Sequence, residues 1–358
     1  MEQNNNFLGR NGFFWFNAVV ESRNDPEKAG RVQIRVLGVH SKDKTVLPTS
    51  ELPWALCVLP VTSAGISGLG HTPFLVEGTW VFGYFRDGYA QEPVILGTLP
   101  GRPIENANTT SGFYDPNGIY PRHINEVDMN RLAVNDEDNP HLALELRKAT
   151  RVQNVATATF DLTSNANNDT IEASLADNWS QPAIPYNSAY PYNNVFESES
   201  GHIKEYDDTP GHQRIFESHT AGTSYEIDAT GNKTDIIKGA HYSIVSSHKQ
   251  ALISGNSNTT INGHHKVYIN KDGATDNHYD IQVGPNANIN IQVDNGDINL
   301  HTIQGKINVN SGGDYNLKVG GNMNVVVSGN YTENIEVNKT QNVTGTHIIR
   351  GETIDLNP

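Results

Sequence analysis

A chain of 358 residues with a net charge of −15 presents a long-range field that repels both nucleic acid and an anionic membrane surface. Only 36% of its residues are hydrophobic while Gly reaches 32, too lean for one large globular core and suited to a thin, turn-rich β architecture. The lone Cys57 excludes an internal disulfide and a Cys-rich zinc site; no apolar run approaches the roughly 18 residues of a membrane span, and "MEQNNNFLGR" lacks a signal-peptide core, so synthesis in the cytoplasm is expected.

The first hundred residues read as short strands. "GFFWFNAVVES" is followed by the turn "RNDPEKAG" and then "RVQIRVLGV", where Val32, Ile34 and Val36 share one face and Arg31, Gln33 and Arg35 the other. "LPWALCVLP", "TWVFGYF" and "EPVILGTL" supply three more. Five strands in this length, punctuated by Gly and Pro, predict a small closed barrel of the OB type over residues 1–103. Trp15, Trp54 and Trp80 fall in these strands and are expected in its core, while the Gly-rich "SAGISGLGHTPF" matches no nucleophile elbow or phosphate loop and is expected to be a flexible barrel loop.

Residues 104–200 have no period of their own. "GFYDPNGIYP" and "WSQPAIPYNSAYPYN" are extended, and "EVDMNRLAVNDEDNPHLALELRKATRVQNVATA" holds one or two short helices. The segment is expected to be an extended linker packed on partner subunits, with Tyr186, Tyr190 and Tyr192 docking against protein, because a loop of that length is not idle.

Residues 201–358 repeat. Gly231, Gly239, Gly255 and Gly263 stand at multiples of eight, with Ser247 in the gap, and the comb resumes at Gly305, Gly313, Gly321, Gly329 and Gly345, with Val337 the exception. Two places earlier come Ile237, Val245, Ile253 and Ile261, then Ile303, Ser311, Val319, Val327, Ile335 and Val343. Eight residues fit one short strand and one bend; the Gly is expected to supply a positive φ, and the aliphatic residue to point inward. An octad has too little apolar surface to stand alone and must stack. A single chain coiling with three octads per turn and three chains wound as a prism both satisfy this; two or three apolar residues per octad favour the narrow core shared by three chains. At one strand spacing per octad the prism would be roughly 75 Å long. The interruption at residues 271–304 still alternates and is expected to continue as β-structure in another register.

The barrel ending "DGYAQEPVILGTLPGRP", the linker, "ESGHIKEYDDTPGHQRIFESHTAGTSYEIDATGN" and the octads together resemble the baseplate central hub and spike proteins of T-even-like contractile-tailed phages, and more distantly the VgrG spikes of type VI secretion. The resemblance implies an all-β homotrimer: an N-terminal OB-fold barrel, an extended linker and a C-terminal intertwined triple-stranded β-helix that pierces the host outer membrane. It places the protein in the virion's tail baseplate, with a trimeric hub protein at the barrel end and a small PAAR-like tip protein at the C-terminal end. The T-even hub carries a lysozyme domain between barrel and prism; the linker is too short for it, so a non-enzyme is expected. The large hub domain that precedes the barrel in VgrG proteins is likewise expected to be a separate protein. The alternatives are a spike of a type VI or tailocin-like system and a cell-wall or glycan hydrolase of the hub.

The stretch over residues 197–236 is dense in His, Asp and Glu, yet it reads as hairpins. "DDTPG" is a turn containing Asp207, Asp208, Pro210 and Gly211, and adjacent Asp207 and Asp208 point to opposite faces of a strand, poor geometry for a carboxylate pair. No catalytic residue, metal or cofactor is expected: His264 and His265 face opposite ways, Asp276, His278 and Asp280 read as a solvated loop, and His347 is a lone His near the C-terminus.

Overall fold

A computed structural model of the chain describes residues 13–105, 124–125, 127–135, 185–259, 261, 263–269 and 278–355. The chain divides into two units, Met1–Gln282 and Val283–Pro358.

All five expected strands of the barrel form: β1 (Phe14–Ser22), β2 (Val32–Val36), β3 (Trp54–Cys57), β4 (Trp80–Phe85) and β5 (Pro93–Thr98). They close in the order β1-β2-β3-β5-β4, with β3 and β5 parallel and the other pairs antiparallel. That five-stranded closure is an OB barrel. Alternation fixes its core: Phe16, Ala18 and Val20 from β1 meet Val32, Ile34 and Val36 from β2, with Ala55, Val81, Phe85 and Ile95 completing it. The tryptophans depart from expectation for the same reason. Phe16, Ala18 and Val20 hold the inward parity of β1, so Trp15 points out, stacked on Phe82 at 5.3 Å beside Tyr84 and Phe13. Trp80 is also exposed, and Trp54 is half-buried under the Arg31 guanidinium.

Gly83 marks the tightest point of the barrel. A Cβ there would lie 2.1 Å from the Val94 carbonyl oxygen and 2.7 Å from the Phe16 ring, beside an irregularity in the β4–β5 register. A backbone oxygen cannot rotate away. Gly83→Ala is expected to destabilise the barrel by about 3 kcal/mol, read as a lowered thermal midpoint.

The polar face of β2 is buried as fully as its apolar face. Gln33 donates to the Leu52 carbonyl at 3.0 Å, and Arg35 lies under the segment that runs through the 3-10 turn Thr49–Glu51. The stretch 63–74 has an ordered turn: Ser63 Oγ accepts from the His71 N–H at 2.7 Å, and Gly65, Ser67, Gly68 and Gly70 all take left-handed φ.

A second sheet is a five-stranded meander in sequence order: β6 (Asn193–Glu197), β7 (Ile203–Asp207), β8 (Arg214–Ser218), β9 (Ser224–Ile227) and β10 (Lys233–Ile236). It starts within the stretch expected to be linker. Helix α1 (Arg131–Val134) lies in the segment expected to hold helices; Asn130 caps it by accepting from the Leu132 N–H, and Leu132 buries against Ile203 and Phe216. Barrel and meander touch where Arg23 forms a two-pronged bond to Glu199 and where Phe74 meets Phe196.

Beyond β10 the described residues form no strand or helix, and the backbone bends at intervals of about eight residues. In the first unit the bends fall at residues 238–239, 246–247, 254–255 and 263; in the second they fall at 294–296, 303–305, 312–313, 320–321, 328–329, 336–337 and 344–345. The comb of glycines is thus a comb of bends. Their conformation differs from expectation: of the nine octad glycines only Gly231, in a hairpin turn, has a left-handed φ.

Candidate functional site

The acid-rich stretch folds as hairpins with a common loop. "SESGH", "HTAGT" and "DATGN" each send the first residue's N–H to the fifth carbonyl and the Gly N–H back to the first, at 2.8–3.0 Å. Gly201, Gly222 and Gly231 all have φ near +90°, which a Cβ disfavours. The first side chain secures each loop: Ser198 Oγ accepts from His202 N–H, His219 Nδ1 from Ala221 N–H, and Asp228 Oδ1 from Thr230 and Asn232. This threefold motif was legible in the sequence as a Gly three places after Ser, His or Asp, but it does not keep the octad spacing.

Asp228 shows the strength of that arrangement. The Thr230 hydroxyl and then the Asn232 amide bond its carboxylate and hold it down at about 2. A depressed folded value stabilises the fold above the ordinary carboxylate range and loses that contribution as pH falls through about 2. Asp228→Ala is therefore expected to melt below the parent protein at neutral pH, with the gap closing as pH falls towards 2; melting curves across that range check it.

Beneath the meander lies a buried polar cluster. Asp207 is buried and Asp208 exposed, so the neighbours do point to opposite faces. Asp207 accepts from the Ser188 hydroxyl and from Thr209 N–H and Oγ1 at 3.0 and 2.6 Å. Arg214 bonds Glu205 and reaches Glu226 at 2.8 Å, its guanidinium plane over the Tyr186 ring at 4.8 Å. Asn193 donates to Glu205 and to the Leu132 carbonyl, tying α1 to the sheet. The turn above it places Pro210 ahead of Gly211, whose φ is +78°, and closes with the His212 N–H on the Thr209 carbonyl at 2.9 Å. These carboxylates are committed to neighbours; the cluster fastens linker to sheet. Tyr186 takes part in it, while Tyr190 and Tyr192 are exposed.

Other chemistry-bearing residues stand apart. Asp276 lies outside the described residues, and His278, Asp280, His264, His265 and His347 are exposed. Burial pushes the Cys57 thiol up to about 11, which leaves it unreactive at neutral pH.

A family model described as the Gp5 N-terminal OB domain matches residues 38–179. Protein Gp5 of Vibrio phage KVP40 is 36% identical over 291 residues, covering 73% of this chain and 66% of the relative. The chain belongs to the Gp5 family of T-even-like phage spikes. The pre-baseplate central spike protein Gp5 of Enterobacteria phage T4 is 42% identical over 120 residues, 32% of this chain and 21% of that protein. The chain thus spans about two thirds of the first Gp5 relative and a fifth of the second.

Within this Gp5-family chain the residues with the clearest functional pattern are the octad aliphatics. Ile237, Val245, Ile253, Ile261, Val319, Val327, Ile335 and Val343 are 42–58% exposed, whereas Ile244, Leu252 and Val326, one residue before three of them, are 92–94% exposed. Ile269 has the same partial cover, as do Val283 and Val293 within the interruption, though not at the octad spacing. Ile269 was legible, standing eight after Ile261. Ile303 departs from the comb: it sits in a bend and is 87% exposed, while Thr302 beside it accepts from the Gly305 N–H at 3.0 Å.

Proposed function

We propose that three copies of this chain wind residues 201–358 into a triple-stranded β-helix, the shaft of a central spike in a contractile-tail baseplate, which punctures the host outer membrane when the sheath contracts. One observation carries the reading: every described residue from 237 to 355 is exposed, although a large aliphatic recurs every eight residues from Ile237 to Ile269 and again from Val319 to Val343. Apolar surface on that scale is an interface awaiting its partner. A copy of the same chain offers the same comb at the same spacing, with backbone edges to pair.

The octad glycines support this. At Gly239, Gly255, Gly263, Gly313, Gly321, Gly329 and Gly345 an added Cβ would meet nothing within 4 Å in its own chain. With neither left-handed φ nor crowding inside the chain, close approach of a neighbouring chain accounts for the missing Cβ.

In this reading residues 1–103 anchor the spike to a trimeric hub protein, residues 104–200 link, and a small PAAR-like protein caps the C-terminal end. Force transmission requires stiffness rather than catalysis, so the protein is a non-enzymatic part of the virion tail. Light scattering tests the assembly: a stable trimer is expected, and a folded monomer would overturn it. Incubation with peptidoglycan tests the second part, with no turnover expected.

A further inference from the structure

The chain is acidic, but not evenly so. Between Asp235 and Asp272 it contains no Asp or Glu, while Lys238, Lys249, Lys266 and Lys271 stand there with four histidines. The meander before it and the shaft after it both hold more acids than bases. The same segment carries large side chains on the wrong face for a shared core. Tyr242, Ile244, Leu252 and Tyr268 have the parity opposite to Val245, Ile253 and Ile269, and are 76–94% exposed. Ile244, Leu252 and Tyr268 each stand directly before an inward aliphatic. Further along, that position holds Gln282, Gln292, Lys318, Asn334 and Asn342, with Val326 the apolar exception. Cations and outward apolar groups therefore coincide over residues 238–268.

We propose that this segment is a belt that binds an anionic lipid surface, with Lys238 and Lys266 on lipid phosphates and Tyr242, Ile244, Leu252 and Tyr268 in the headgroup and upper acyl layer. That the belt stays outside the shaft rests on the trimeric reading above. Tyrosines at the level of lipid headgroups and lysines next to phosphate are the composition that an interfacial surface selects. Nucleic acid would use the charge but leave Ile244 and Leu252 without a role. The net charge of −15 does not cancel the belt, because four octad steps span roughly 19 Å, beyond the screening length of about 8 Å at physiological salt. In a trimer the belt is present three times round one level of the shaft, where a spike passing through a membrane would grip its phosphates.

The test is co-sedimentation of the full chain with vesicles of phosphatidylethanolamine and phosphatidylglycerol, against vesicles of phosphatidylcholine alone and against duplex DNA. Binding to the anionic vesicles at least about tenfold tighter than to the neutral ones is expected. Lys238→Glu with Lys266→Glu should abolish most of that difference. Ile244→Ser with Leu252→Ser should leave capture at low salt but lose retention at high salt. Equal binding to both vesicles, unchanged binding by the Lys variant, or binding to DNA without binding to vesicles would each overturn the proposal. Light scattering on the same samples separates the two readings: a trimer that ignores anionic vesicles refutes the belt alone, and a monomer that binds them through Lys238 and Lys266 refutes the trimer alone.

Discussion

Arg35→Met should unfold the barrel at a temperature far below the parent protein. Arg35 is fully buried, its Nε 2.5 Å from Glu21 Oε1 and its Nη2 3.1 Å from Oε2, with the Ser41 and Leu47 carbonyls taking further bonds. Thr49 adds a bond to Glu21 at 2.7 Å. Met fills the volume but leaves the Glu21 carboxylate buried without its partner, which costs about 3–5 kcal/mol. For a barrel of this size that is a fall of some 15 °C or more in the thermal midpoint. The pH dependence identifies the cause. Burial raises the Glu21 carboxyl, but the bonds from Arg35 and Thr49, with Lys44 nearby, outweigh it and hold the group below its ordinary value. The parent therefore loses this stabilisation as pH falls through that lowered value. In the variant burial acts with less opposition, the carboxyl rises, and protonation relieves the penalty. The two melting curves should converge in acid; a gap independent of pH would show that packing, not charge, was lost.

The Arg35–Glu21 pair also marks what the sequence conceals. All five barrel strands were legible, because alternation and Gly/Pro punctuation are local signals. In the sequence Arg35 stands only on the face of β2 opposite to Val32, Ile34 and Val36, and nothing local marks it as buried, since its partner lies 14 positions away on β1 and its cover comes from a loop. Trp15 was misplaced for a related reason: hydrophobicity alone put it inside, while the parity set by Phe16, Ala18 and Val20 put it out. The DDTPG turn was legible from its Pro and Gly, but the cluster below it was not, because Ser188, Asn193, Glu205 and Arg214 converge from three segments. The octads were legible as a period, and the structure bends where they predict. What the period alone does not give is the reason for the glycines, because the bends they occupy after Gly231 need no left-handed φ.

Val327→Asp and Val326→Asp, two substitutions one residue apart, should have opposite outcomes. Both add a carboxylate to the segment between the same two bends, at 320–321 and 328–329. In the isolated chain neither site is buried: Val327 is 47% exposed and Val326 92%. A one-chain explanation of the octads therefore predicts mild effects at both, within roughly 0.5 kcal/mol of each other. In a shared core the symmetry makes each Val327 meet its two copies, so the substitution places three carboxylates round one axis. Each loses hydration without a counter-charge, a cost of at least several kcal/mol per chain. Val326 keeps its place in solvent. The expected result is a trimer for Val326→Asp that melts like the parent, and for Val327→Asp either dissociation or a trimer whose shaft melts far lower and recovers partly in acid, where the carboxyls are neutral. Gly329→Ala probes the same neighbour from the other side: nothing in its own chain lies within 4 Å of the added methyl, so any loss of trimer comes from another chain. Equal melting of the two Asp variants would remove the common axis from the account of the octads.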